Sequence, residues 1–92
     1  MYQPSTRQLL NAKNIGVNIT PSNVKNKKLS VYKNGVKVAD IGSYGALDYS
    51  IYKSEFGINY ANERKRLYKI RHQKYRHIKG TPAYYADKIL WT

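Results

Sequence analysis

The sequence contains no cysteine, only five acidic residues, and one residue each of tryptophan and phenylalanine among its 92 positions. Without cysteine, neither a disulfide framework nor a thiolate metal site is available to stabilise a small domain. No stretch approaches the roughly 18 consecutive apolar residues that a membrane-spanning helix needs. We therefore expect one small domain with a thin core and no membrane span, which gains part of its stability from partners.

Residues that could carry chemistry are few and scattered. The five acids are Asp40, Asp48, Glu55, Glu63 and Asp87. No two of them are spaced as an acid–base couple. His72 and His77 would point about 140° apart on a helix, which argues against a shared metal ion. Because phosphate-binding and dinucleotide-binding glycine motifs are also missing, we expect no catalysis, no cofactor and no metal site.

Positive charge is what the sequence has in excess. Seventeen Lys and Arg residues give a formal net charge of +12, which favours anionic partners such as nucleic acid, acidic protein surfaces or anionic lipid. Ten tyrosines accompany them, and a tyrosine combines flat apolar area with a hydroxyl group that tolerates water. This composition is typical of a binding surface that is partly hydrated.

Residues 58–79 hold eight of the seventeen cations and predict one long helix that ends at Gly80-Thr81-Pro82. The outer side of this helix would present cations to an acidic partner. Its inner stripe, packed on the core, would consist of Tyr60, Arg64, Leu67, Tyr68, Arg71, Tyr75 and Ile78. The residues that we expect to contact the partner are Lys65, Lys69, Arg76 and Lys79 of the helix, together with Lys27 and Lys28.

Three further elements follow from local signals. In residues 29–41, Asn34-Gly35 supplies the two positive-φ residues of a type I′ turn, which predicts a β-hairpin. Residues 48–52 would return as a third antiparallel strand. Pro82 at the first helical position, after Thr81 as the N-cap, predicts a short C-terminal helix. The expected hairpin pairs are Lys33 with Val36, Tyr32 with Lys37, and Val31 with Val38.

Residues 1–28 predict an extended N-terminal arm, because they are rich in polar side chains and sparse in apolar ones. The arm is either disordered or docked across a neighbouring subunit, and within it residues 6–13 could form a short helix and residues 15–19 a short strand. Residues 29–92 predict a small α+β domain. We expect a three-stranded antiparallel meander packed by the long basic helix and the short C-terminal helix.

Four patches of sequence, taken in order, resemble a known family. They are VADIG (38–42), GALDYSIY (45–52), ERKRLY (63–68) followed by Arg71-His72, and PAYYA (82–86) followed by ILW (89–91). The family consists of small basic proteins encoded by large double-stranded DNA viruses, and the resemblance runs from Leu29 onward. The chain departs from the family pattern at Ala46-Leu47, where an aromatic residue often stands, and in a longer connection at residues 53–58.

The resemblance implies a viral setting. In that setting we expect a structural protein of the virion, a minor capsid or cementing component that binds acidic capsid subunits at several points. Its locations would be the virion and, during assembly, the host cytoplasm. The alternative is a protein that binds nucleic acid without sequence preference, since the same Lys and Arg residues could neutralise phosphates. Composition and spacing leave both functions open, together with a third, an adaptor for an acidic host protein.

Overall fold

A computed structural model describes residues 2–92, and Met1, the first residue of the expected arm, lies outside them. The three strands form one antiparallel sheet in the order β1-β2-β3. The expected α+β class with a three-stranded antiparallel meander is therefore confirmed. The elements in chain order are α1 (Thr6–Asn14), β1 (Asn18–Pro21), β2 (Lys27–Lys33), β3 (Val36–Ser43), α2 (Tyr49–Phe56), α3 (Ile58–Arg71) and α4 (Pro82–Leu90).

The hairpin of β2 and β3 turns at the expected dipeptide. Asn34 has φ 53° and Gly35 has φ 79°, the two positive values that a type I′ turn requires. Asparagine and glycine are the residues that adopt this conformation at least cost. The first pairs beyond the turn are the expected ones, Lys33 with Val36 and Tyr32 with Lys37.

A bulge then changes the register of the hairpin. Val31 pairs with Ala39, so the expected pair of Val31 with Val38 was wrong. One extra residue in β3 moves the following side chains to the opposite faces of the sheet. As a result Ala39 and Ile41 are buried, whereas Val38 is exposed and Val36 is 64% exposed.

Residues 48–52 were expected to be a strand and instead begin helix α2, so this prediction was wrong. The Asp48 carboxylate accepts a hydrogen bond from the backbone N–H of Ile51 at 3.1 Å. It thereby caps the helix, a position at which Asp is strongly preferred. The third strand of the meander is β1, which pairs with β2.

The segment expected to be an arm contains helix α1 and strand β1. A capping box starts the helix: the Ser5 hydroxyl accepts from the N–H of Gln8 at 3.1 Å, and the Gln8 side chain accepts from the N–H of Ser5 at 2.9 Å. Ala12 and Ile19 belong to the same buried core as β2, β3 and α4. Side chains from residues 2–28 therefore pack in the same core as side chains from residues 29–92.

Helices α1 and α4 cover the sheet, while α3 packs against α2. Leu29, Val31 and Ile41 of the sheet are buried together with Ile89 and Leu90 of α4. Each such aliphatic side chain contributes roughly 1.5–3 kcal/mol when it is removed from water. The meander thus obtains its cover from two short helices at opposite ends of the sequence.

The basic helix is shorter than expected. Helix α3 ends at Arg71, and residues 72–80 form a series of turns. The prediction of a single helix over residues 58–79 was therefore wrong. Within the turns the N–H of Tyr75 bonds the carbonyl of His72, and the N–H of Ile78 bonds the carbonyl of Tyr75, both at 3.1 Å. Such three-residue spacing is the tighter 3₁₀ pattern, which is common where a helix ends.

Gly42 lies where the sheet meets helix α4, and it has φ 77°. A Cβ atom at this position would come within 2.9 Å of Cδ of Lys28 and 3.0 Å of Cδ1 of Leu90. We predict that Gly42→Ala lowers the free energy of unfolding by about 2–3 kcal/mol, through steric conflict added to backbone strain. Urea denaturation measures this change.

Gly35→Ala is the matched control, because Gly35 has φ 79° and no atom within 4 Å of the added Cβ. It should cost only the backbone strain, about 1 kcal/mol. Equal losses for the two variants would show that the contact of Gly42 with Lys28 and Leu90 is not tight.

Candidate partner-binding surface

Most of the carboxylates are neutralised inside the chain. Of the five acids, only Glu55 lacks an ion pair among residues 2–92. Six cations take part in these pairs, so the other eleven of the seventeen have no Asp or Glu carboxylate within 4 Å in the described part of the chain. The paired cations are Lys28, Lys37, Arg66, Lys69, Arg76 and Lys88. The accessible charge is therefore strongly positive.

Lys28, one of the expected partner contacts, is only 2% exposed. Its Nζ lies 2.9 Å from Oδ2 of the buried Asp48, and the Tyr2 hydroxyl donates to the same oxygen at 2.6 Å. Burial, and then the hydrogen bond to Asp48, raise the pKa of Tyr2 above its ordinary value. The charge of Lys28 is thus balanced within the chain.

Two more of the expected partner contacts, Lys69 and Arg76, lie around the fully buried carboxylate of Asp87. Nζ of Lys69 lies 2.9 Å from Oδ1 of Asp87, and Nη1 of Arg76 lies 3.5 Å from Oδ2. Lys88 approaches Oδ2 at 3.6 Å. Arg76 belongs to the turns that follow α3, so this group ties those turns to α3 and α4. Sequence reasoning missed Asp87, because it lies two residues from both Tyr85 and Ile89, about 160° around the helix from each, so periodicity placed it away from the core.

The other three expected contacts are more accessible. Lys27 and Lys79 are exposed. Lys65 is half-buried, with Nζ 4.3 Å from the centre of the Tyr49 ring, and the guanidinium of Arg7 lies 5.0 Å from the same centre. Desolvation, and then the nearby charges of Lys69 and Arg7, lower the pKa of Lys65. The structure therefore does not gather the six expected residues on one free surface.

The predicted inner stripe is mostly exposed, so its placement against the core was wrong. Tyr68 alone among its aromatic and aliphatic members is buried, where its ring stacks on Trp91 with centroids 4.4 Å apart. Helix α3 leaves the other members accessible because it packs on α2, while α1 and α4 occupy the sheet. The exposed members are Tyr60, Leu67, Tyr75 and Ile78.

Residues 67–79, which we call the 67–79 segment, combine exposed apolar and cationic side chains. In α3, Ile70 and Arg71 follow Leu67 by three and four residues, which is the spacing of one helix face, and all three are exposed. Lys74, in the turns that follow the helix, is also exposed. Ile70 is 61% exposed. The turns add two exposed apolar residues and another cation, Tyr75, Ile78 and Lys79.

Rings from α2, from α3 and from Trp91, the residue after α4, form a second partly exposed feature. The Tyr52, Phe56 and Tyr60 rings have centroids 5.2–6.0 Å apart in tilted pairs, a spacing that favours aromatic attraction. The ring of Trp91 lies 6.1 Å from that of Tyr52. The guanidinium of Arg64 lies 5.4 Å from the Tyr52 ring centre, so a cation caps the cluster.

No group of three His, Cys, Asp or Glu side chains that could hold a metal ion occurs among residues 2–92. No helix in this range is both long enough and apolar enough to cross a bilayer. Comparison with protein-family models, with curated proteins and with solved structures finds no match to this chain. The functional argument therefore depends on the geometry of the chain itself.

Removal of the buried charge at position 87 tests the role of that group. We predict that Asp87→Asn lowers the free energy of unfolding by about 2–3 kcal/mol, because Lys69 and Arg76 would keep their charges in a partly buried site without a counterion. Amide hydrogen exchange in residues 72–80 should accelerate, since Arg76 would no longer be held.

Glu63→Gln is the control for that variant. This substitution breaks the ion pair of Glu63 with Arg66, whose charged atoms lie 2.5 Å apart. The side chains of both residues are more than half exposed. Exposed pairs contribute little to stability, so we expect almost no change in the urea midpoint. A loss for Asp87→Asn no larger than for Glu63→Gln would contradict the role assigned to Asp87.

Proposed function

We propose that this chain is a non-catalytic structural protein of a virion, a minor capsid or cementing component that binds acidic faces of neighbouring capsid subunits. One observation carries the proposal: the 67–79 segment exposes aliphatic side chains beside Arg71, Lys74 and Lys79, three cations without an ion pair among residues 2–92. A protein surface with an apolar centre and an acidic rim would complement both features.

The positive charge of the 67–79 segment favours an acidic partner. Arg71, Lys74 and Lys79 have no carboxylate within 4 Å among residues 2–92. Four of the five acids are already engaged elsewhere in the chain, so little negative potential offsets these cations. A field of one sign steers an oppositely charged partner and raises its association rate. The same field disfavours a basic partner.

Aliphatic exposure favours a protein over nucleic acid. Leu67, Ile70 and Ile78 are each at least 40% exposed, and phosphate groups offer such side chains no favourable contact. A protein interface removes them from water at a gain of roughly 25 cal/mol per Å² of apolar surface. Binding of this kind combines charge attraction at the rim with burial at the centre.

Sequence-independent nucleic-acid binding is the second candidate, and Tyr75 is the observation that favours it. Its ring is 53% exposed, and Nζ of Lys74 lies 5.3 Å from the ring centre. A base could stack on this ring while the neighbouring cations contact the backbone phosphates. The virion setting itself is proposed from the resemblance of the four sequence patches, and it is compatible with either partner.

Salt dependence separates the two candidates. We predict that the protein binds purified acidic capsid subunits at about 0.15 M salt with fixed stoichiometry, while duplex DNA binds negligibly under the same conditions. Phosphate neutralisation would instead give a log–log slope of several units between affinity for DNA and salt concentration. Fluorescence titration at increasing salt measures both.

Ile70→Ser tests the apolar centre. It should weaken binding to the capsid subunits about tenfold, since roughly 1.4 kcal/mol of apolar burial would be lost. Leu10→Ser is the matched control, because Leu10 is likewise an aliphatic residue on a helix, 56% exposed on α1, and lies outside the 67–79 segment. An equal effect of both variants, or tight DNA binding at physiological salt without capsid binding, would overturn the proposal.

A further inference from the structure

A cavity of about 270 Å³ opens where the ends of several elements meet. The start of β2, the end of β3, the end of α3 and the end of α4 all contribute to its wall. Its polar and aromatic lining includes Lys27, Lys28, Ser43, Arg71, His72 and Trp91. Apolar side chains such as Leu47 and Leu90 complete the wall. The cavity thus combines basic groups with an apolar interior surface.

The lining carries an excess of positive charge. Asp48 is its only acid, and this carboxylate already pairs with Lys28. Lys27 and Arg71 have no carboxylate within 4 Å among residues 2–92. The ammonium of Lys28 has three N–H donors, and Asp48 is its one hydrogen-bond acceptor in the described chain. Hydrogen-bond donors and positive charge therefore both remain available.

Arg71 is held in place by the aromatic side of the cavity. Its Nε donates to Nε2 of His72 at 3.3 Å, which requires a neutral imidazole that carries its proton on Nδ1. Desolvation, and then the charge of Arg71, lower the pKa of His72 and maintain this neutral form. The imidazole packs on Tyr68 with centroids 4.3 Å apart, and Tyr68 stacks on Trp91.

We propose that this cavity receives a carboxylate side chain of the acidic protein partner, an assignment that rests on the function proposed above. The guanidinium of Arg71 can form two parallel hydrogen bonds with a carboxylate, and Lys27 adds a second charge at the rim. The apolar wall accommodates the methylene groups of a Glu side chain. Arg71 also belongs to the 67–79 segment, so the cavity and the exposed apolar side chains form one continuous contact region.

Nuclear magnetic resonance titration of the intact chain tests the site with two probes, a capped tetraglutamate peptide and inorganic phosphate. The peptide should cause saturable shifts centred on the amides of Ser43 and His72. Arg71→Gln should raise its dissociation constant at least fivefold, and Arg71→Lys, which keeps the charge but loses the planar fork, about threefold. Lys13→Gln removes an exposed charge on α1, and it should change the constant less than twofold.

The outcomes distinguish failure of the site from failure of the proposed function. Shifts spread evenly over the cationic surface, equally reduced by Arg71→Gln and Lys13→Gln, would overturn the cavity assignment even if capsid subunits bind. Phosphate that binds the cavity as tightly as the peptide would overturn the assignment to a carboxylate side chain. Selective peptide binding in the cavity would support the site even if the capsid subunits fail to bind, a result that would reject the proposed function alone.

Discussion

The buried ion pair of Lys28 and Asp48 connects the sheet to the helices of this small domain. Lys28 lies on β2, and Asp48 caps α2. The carboxylate accepts hydrogen bonds from three donors, namely the Lys28 ammonium, the Tyr2 hydroxyl and the Ile51 backbone N–H. Several good donors are what offsets the cost of removing a carboxylate from water. Because α3 packs against α2, the ion pair of Lys28 and Asp48 also sets where the 67–79 segment lies relative to the sheet.

Asp87 plays a corresponding part at the C-terminal end of α3. Its three cationic neighbours hold α3, the turns that follow it and α4 together. The chain has seventeen cations and only five acids, so its positive charges repel one another. If all five acids lay at the surface, no carboxylate would offset this repulsion in the interior. Placing two carboxylates in the interior stabilises the fold and, at the same time, leaves the surface positive. The cohesion of the domain and the positive surface to which the proposed acidic partner would bind thus have one physical origin.

Local signals predicted the fold class and several elements. Asn34-Gly35 specified the hairpin turn, and Thr81 caps α4 as expected by accepting from the N–H of Tyr84 at 3.2 Å. Tertiary interactions decided the rest. The bulge in β3 leaves no sequence signal, and Asp48 serves both as an N-cap and as a buried counterion. Arg76 lies in the turns that replace the last part of the expected helix. Its attraction to Asp87 joins residues that are not neighbours along the sequence, so local signals do not reveal it.

The candidate site was predicted only in outline. The concentration of cations in residues 58–79 correctly indicated where charge lies along the chain, but not which side chains are free. Lys27 and Lys28 show the difficulty: adjacent residues of a strand face opposite sides of the sheet. The sequence does not show which side Asp48 occupies, and it therefore does not tell which of the two lysines is buried. The expected stripe was assigned to the core because the sequence does not show that α1 and α4 already cover the sheet.

The most direct test of the account is a density map of an intact virus particle that contains this chain. The proposed function predicts that the chain lies between capsid subunits, with the 67–79 segment against an acidic face and an acidic side chain beside Arg71. A map that places the chain only within the genome-containing interior, or that shows the 67–79 segment turned toward solvent, would contradict it.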